Sequence, residues 1–111
     1  MVNLENMPCI YWDDSVKISY LQRRIIVWSI MYYRMNESCV PDDVYDKVSR
    51  RLVDLQSKCS ESEFKKSRYY YAMYDFDGST GFDIPSRLTN EDREYLTQIA
   101  NIVYNEYKKS Y

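Results

Sequence analysis

Helix breakers are so scarce in this chain that long helices are hard to avoid. Only two glycines and three prolines punctuate 111 residues. Glycine and proline are the strongest local signals that end a regular element. Between them, apolar residues recur at steps of three and four, the period of a helix with one buried face. Ile18, Leu21, Ile25, Trp28 and Tyr32 predict a first helix over about 15–35. Ile26, Ile30 and Tyr33 widen that stripe, so this helix is expected to be covered on more than one side. Pro41 suits the first turn of a second helix, where a missing N–H costs nothing. Asp42 and Asp43 favour the positive end of its dipole. Tyr45, Val48, Leu52, Leu55 and Cys59 carry the pattern to about residue 58. The short connection makes the pair an antiparallel hairpin.

Ser60-Glu61-Ser62-Glu63 is a capping box and predicts a third helix over about 61–73. Thr89, with Asp92 three residues on, caps a last helix over about 90–109, with Leu96, Ile99, Val103 and Tyr107 as its apolar stripe. Residues 74–88 hold both glycines, Pro85 and several aspartates, and read as an ordered loop with room for a short strand. The expected fold is therefore mostly α. A helical hairpin (15–58) and two further helices form a single domain, with an extended N-terminal arm over residues 1–14 that packs on the helical body.

Composition narrows the function. The formal net charge is -2, which gives no global field to draw the chain to nucleic acid. The basic runs Arg23-Arg24, Arg50-Arg51 and Lys65-Lys66 with Arg68 read as solvated helix faces. There is no histidine, so the commonest general base and zinc ligand are missing. Cys9, Cys39 and Cys59 show no CxxC spacing and read as free thiols in a reducing compartment. No apolar run is long enough to span a bilayer and no signal peptide is visible, so a cytoplasmic protein is expected. Thirteen tyrosines are unusual. Each buries a ring while keeping a polar tip, so most are expected to finish a small core, with some left for ligand or partner surfaces.

The most informative residues flank the hairpin loop. Tyr32 and Tyr33 end the first helix, and Asp42, Tyr45 and Asp46 begin the second. In an antiparallel pair those ends lie side by side. Asp42 and Asp46 are four apart and share one face, with Tyr45 beside them. Aromatic rings next to acceptor-only carboxylates suit a flat heteroaromatic ring bearing an amide or ribose hydroxyls. A positively charged ring gains further from cation–π attraction, and oxidised nicotinamide has all of these properties. The plain alternative is that the aspartates only serve the helix dipole and the tyrosines only pack.

The run Met31-Tyr32-Tyr33, eight residues, then Asp42-Asp43-Val44-Tyr45-Asp46, followed by Leu52 and Leu55, resembles the N-terminal NMN-binding domain of bacterial NAD-dependent DNA ligases. That family shows YY or YH, a short loop, then DxxYD and LxxL. The resemblance spans about residues 15–56. It implies that Tyr32, Tyr33, Asp42, Tyr45 and Asp46 hold the nicotinamide mononucleotide half of NAD. The glutamate that often ends the family's LxxLE is Gln56 here, and the nucleophilic lysine motif KxDG is absent. Adenylyl transfer needs that lysine and metal-assisted phosphate handling. The expectation is thus a non-enzymatic binder of NMN or NAD rather than a ligase. The alternative is an interaction protein that uses the hairpin as a scaffold, such as a phage-encoded inhibitor of a bacterial defence protein. An enzyme acting alone on NAD finds support only in the clustered carboxylates.

Two motifs in the 74–88 segment mislead. Asp75-Phe76-Asp77-Gly78-Ser79-Thr80 is similar to the DxDGT of haloacid-dehalogenase-like phosphatases, but Ser79 splits the motif and the doubly wound sheet is not predicted. A calcium loop needs Gly at position six and Glu at twelve, which this run does not supply. Gly78 and Gly81 are expected to make tight turns, and the aspartates to cap backbone N–H groups.

Overall fold

The computed structural model describes residues 8–35, 40–79 and 81–110. Among them it is helical, with no strand. In chain order the helices are α1 (Asp14–Tyr33), α2 (Asp42–Lys58), α3 (Glu61–Lys65), α4 (Tyr70–Met73), α5 (Ile84–Arg87) and α6 (Asn90–Ser110). The predicted α class and the hairpin are present. The short strand considered for residues 74–88 is replaced by the single turn α5, with Pro85 in its first turn.

Helix α1 is the axis of the molecule and packs against α2, α3, α5 and α6. Its continuous run from Ile25 to Met31 is buried on all sides, which is why its apolar stripe is so wide. Cross-helix contacts fix the direction of α2. Gln22 meets Gln56 near one end and Trp28 meets Tyr45 nearer the other, so the two helices run antiparallel. Val44, Val48 and Leu52 put the buried face of α2 onto α1. From α6, Leu96 and Ala100 are fully buried, with Ile99, Val103 and Tyr107 packed at the margin.

The expected third helix is broken in two. α3 stops at Lys65 and α4 begins at Tyr70. The cause lies in α1. The backbone N–H of Arg68 donates to Ser19 Oγ at 2.8 Å, and that of Tyr69 donates to Gln22 Oε1 at 3.0 Å. Two α1 side chains thus take the donors that a continuous helix would have given to carbonyls four residues back. The capping box is also only half reciprocal. Glu63 N–H donates to Ser60 Oγ as expected, but the Glu63 carboxylate accepts from the Ser15 backbone N–H at 3.0 Å. It caps α1 rather than its own helix, and the Ser15 N–H holds it below the usual carboxylate range.

The expected arm packs only in part. Pro8 is buried and Trp12 meets the edge of Tyr20 at 5.5 Å, but Ile10 and Tyr11 stand in solvent at 74% and 89% exposure. Residues 1–7 of the arm lie outside the described residues. The tyrosines divide between core and surface: Tyr69 is buried, Tyr20, Tyr45, Tyr104 and Tyr107 pack partly buried against the core, and six of those described are exposed. Leu, Ile, Val and Met already fill the space around α1, so the rings are left at the margins.

Thr89 caps α6 as expected, its Oγ1 accepting from Asp92 N at 3.2 Å. Asp92 also accepts from both terminal nitrogens of Arg68 and from the Tyr71 hydroxyl, joining the α3–α4 turn to α6. Burial raises the Asp92 carboxyl, but the Tyr71 hydroxyl and the Arg68 guanidinium outweigh it and hold the group below its ordinary value. A depressed folded-state pKa contributes stability above the unfolded value, about 3.9, and that stability is lost as pH falls through the folded pKa. Asp92→Asn is therefore expected to flatten the acid limb of a Tm-against-pH curve below about pH 4. A variant with an acid limb as steep as the parent's would refute this.

Candidate functional site

The site forms where α1 ends and α2 begins. Trp28 and Tyr32 are one turn apart at the end of α1, and Asp42 and Asp46 are one turn apart at the start of α2. The antiparallel packing brings these turns together around a cavity of about 310 Å³. Its lining includes all five residues singled out in the sequence: Tyr32, Tyr33, Asp42, Tyr45 and Asp46. None is swallowed by the core. Tyr32 is 55% exposed, Tyr33 is 38% exposed, both aspartates are exposed at the rim, and Tyr45 is half-buried.

The rings meet at angles rather than in a flat stack. Tyr32 and Tyr33 lie edge to face with centroids 4.8 Å apart. Tyr33 in turn meets the edge of Phe82 at 5.3 Å. Trp28 and Tyr45 are tilted at 6.3 Å across the α1–α2 seam. Each T-shaped contact sets one ring's edge against the other's face and so fixes both orientations, and the Arg24 guanidinium lies 5.1 Å over the Trp28 ring.

Tyr45 is the deepest of the five. Burial raises its hydroxyl pKa, the neighbouring Tyr33 and Asp46 add to the rise, and hydrogen bonding with Ser29 opposes it. The phenol stays protonated at neutral pH and acts as a hydrogen-bonding group, not a nucleophile. Ser29 Oγ donates to the Ile25 carbonyl at 2.8 Å, which leaves its lone pairs for Tyr45. With carboxylates at the rim and ring faces beside them, the cavity suits a flat ring with hydroxyl or amide donors.

Sequence reasoning missed Trp28, Ser29 and Ser79 in the lining, and Phe82 and Gly81 beside it. Trp28 and Ser29 were legible, since each precedes a named tyrosine by one helical turn. Ser79, Gly81 and Phe82 come from the loop after α4, some fifty residues on, and no local pattern points to them. Gly81 was expected to supply a turn. Its φ is not in the left-handed region, unlike that of Gly78 at 89°, and its role is close approach: a Cβ there would overlap Ser29 Oγ and lie 3.2 Å from the Tyr45 hydroxyl.

The loop aspartates are otherwise occupied. Asp75 pairs with both terminal nitrogens of Arg87, and Asp77 Oδ1 accepts from Ser79 N at 2.9 Å. Among the described residues no group of three or more Cys, Asp or Glu is placed to hold a metal ion. No helix there is long and apolar enough to cross a membrane.

No protein-family description matches the chain, and no solved structure matches it. Among curated proteins, a 43-residue stretch is 35% identical to a DNA ligase of Ureaplasma urealyticum serovar 10. That stretch is 39% of this chain and 6% of the ligase, so the chain spans a small fraction of that relative's length. The similarity extends to a ligase-related region and no further.

Proposed function

We propose that this chain binds a nicotinamide nucleotide, NMN or NAD, in the pocket at the connected end of the α1–α2 hairpin, without catalysing a reaction on it. One observation carries the reading: five residues chosen for ring stacking and carboxylate hydrogen bonding line a single cavity. Its size, about 310 Å³, sits at the lower end of the range typical of small-molecule sites, roughly 300–1,000 Å³. The local similarity to a DNA ligase supports the same reading. In it, Tyr32 and Tyr33 pack on the ring and ribose, Asp42 and Asp46 accept their O–H and N–H groups, and Tyr45 forms the floor.

Isothermal titration calorimetry tests it. NMN and NAD are expected to bind in the micromolar range, about -8 kcal/mol. Asp46→Ala and Tyr32→Ala are each expected to weaken binding roughly tenfold or more, through a lost charge-assisted hydrogen bond and a lost stacking face. Both positions are exposed, so circular dichroism of the variants is expected to match the parent. Absence of heat with NMN, NAD and ADP-ribose alike sinks the proposal.

A second reading, a protein-binding role such as inhibition of a bacterial defence protein, draws on the exposed aromatics. Tyr11, Tyr74 and Tyr95 are more than half exposed, away from the pocket, and tyrosine is enriched in protein interfaces. It predicts co-purification with a host protein that nucleotides do not displace.

A further inference from the structure

A second cleft, of about 460 Å³, opens where the end of α1 meets α5 and α6. Ile30, Arg34, Pro85, Ser86, Arg93 and Thr97 line it, and none of them lines the tyrosine and aspartate cavity. Both charged residues in this lining are arginines. Ile30 and Pro85 are almost fully buried and give it an apolar floor.

Arg93 is held in an unusual way. A guanidinium has five N–H donors. Its Nε donates to the Pro85 carbonyl at 3.1 Å, and its Nη2 to the carbonyls of Leu88 at 2.9 Å and Ser86 at 3.4 Å. Its Nη1 donates to Asn90 Oδ1 at 3.3 Å. All four acceptors are neutral, so they fix the group without balancing its charge. One N–H on Nη1 is left over. Arg34, just past the end of α1, is exposed. Among the described residues neither arginine pairs with a carboxylate. Thr97 follows Arg93 by one turn of α6 and shares its face.

Nearby acids do not fill the gap. The Asp83 carbonyl accepts from Ser86 Oγ at 2.7 Å, but its side chain lies outside the lining. Glu94 is exposed and outside it too. The C-terminus of α1 carries about half a negative charge, which two guanidinium groups outweigh. A carboxylate would balance one of them. A phosphate monoester, with about -1.5 to -2 at neutral pH, balances both. Its three oxygens suit the Arg34 fork, the spare Arg93 N–H and the Thr97 hydroxyl. The volume exceeds the need of an inorganic ion and lies in the small-molecule range of roughly 300–1,000 Å³.

We infer that this cleft is a second ligand site, which holds a small phosphate monoester with its phosphate between Arg34 and Arg93 and its organic part on Ile30 and Pro85. Arg93 is preorganised by its carbonyl partners, and Arg34 closes on the ligand from the end of α1. The site stands apart from the nicotinamide proposal and does not depend on it.

Amide NMR titration of the full chain at constant ionic strength tests this with inorganic phosphate, phenyl phosphate and benzoate. Phenyl phosphate is expected to saturate shifts around residues 34, 86, 93 and 97 with a Kd on the order of 1 mM or tighter. It is expected to bind about threefold or more tightly than inorganic phosphate, through the apolar floor, and roughly tenfold more tightly than benzoate. Arg34→Gln is expected to weaken phenyl phosphate roughly tenfold, and Arg34→Lys less. Arg34 is exposed, so both variants are expected to keep the parental amide spectrum elsewhere. Tyr32→Ala is expected to leave phenyl phosphate binding unchanged. Shifts that never saturate, or saturate equally in Arg34→Gln, would overturn the inference. Benzoate binding as tightly as phenyl phosphate would overturn the assignment to a phosphate.

Discussion

Gln22→Leu is expected to destabilise the protein by about 2–3 kcal/mol although it keeps the volume and adds apolar surface. Gln22 is fully buried in the middle of α1, and its amide joins three elements. Its Nε2 donates to Ser67 Oγ at 3.1 Å and, more weakly, to Gln56 Oε1 at 3.4 Å. Its Oε1 accepts the Tyr69 backbone N–H at 3.0 Å. Leucine removes the acceptor and leaves that N–H buried without its partner. An orphaned buried donor costs about 1–3 kcal/mol. The gain from burying leucine instead of an amide does not offset it, because the backbone of residues 67–69 is shaped around the acceptor. The Ser67 hydroxyl keeps its bond to the Phe64 carbonyl, so the loss centres on Tyr69. Urea denaturation checks it. A shift smaller than about 0.5 kcal/mol would mean that the turn finds another acceptor at no cost.

Gly81→Ala is expected to cost about 1–3 kcal/mol, which lowers Tm by roughly 4–12 °C, and to disturb the pocket. The added Cβ would overlap Ser29 Oγ and lie 3.0 Å from Ser29 Cβ. The hydroxyl can rotate away only by giving up its bond to the Ile25 carbonyl, and the Cβ moves only with α1. The loop therefore shifts outward and carries Phe82 off Tyr33. Gly78→Ala is the control. Space exists there, with Val53 Cγ2 at 3.5 Å, and the penalty comes from the positive φ instead. Both variants lose stability, but only the Gly81 variant is expected to weaken nicotinamide binding. Thermal melts followed by titration separate the two effects. A Gly81→Ala protein with parental Tm and parental binding would show that the loop does not seat the site.

How much was legible depended on how far apart the interacting residues lie. The stripes of α1, α2 and α6 and the Thr89 cap were legible because their partners sit three or four residues away. The pairing of Asp42 with Asp46 beside Tyr45 was legible for the same reason. The break between α3 and α4 was not, because its cause is Ser19 and Gln22, nearly fifty residues earlier. The true partner of the Glu63 carboxylate, Ser15, is equally remote.

By itself, then, the sequence determined the three long helices α1, α2 and α6, the hairpin and which five side chains gather at its connected end, since local periodicity dictates which residues share a helix face. The tertiary structure decided the rest. It made Gly81 a spacer pressed on Ser29, brought Ser79 and Phe82 to the pocket's edge, and left half of the described tyrosines exposed. Those outcomes depend on which surfaces meet across long stretches of chain. Close packing around α1 settles that, and no short-range pattern encodes it.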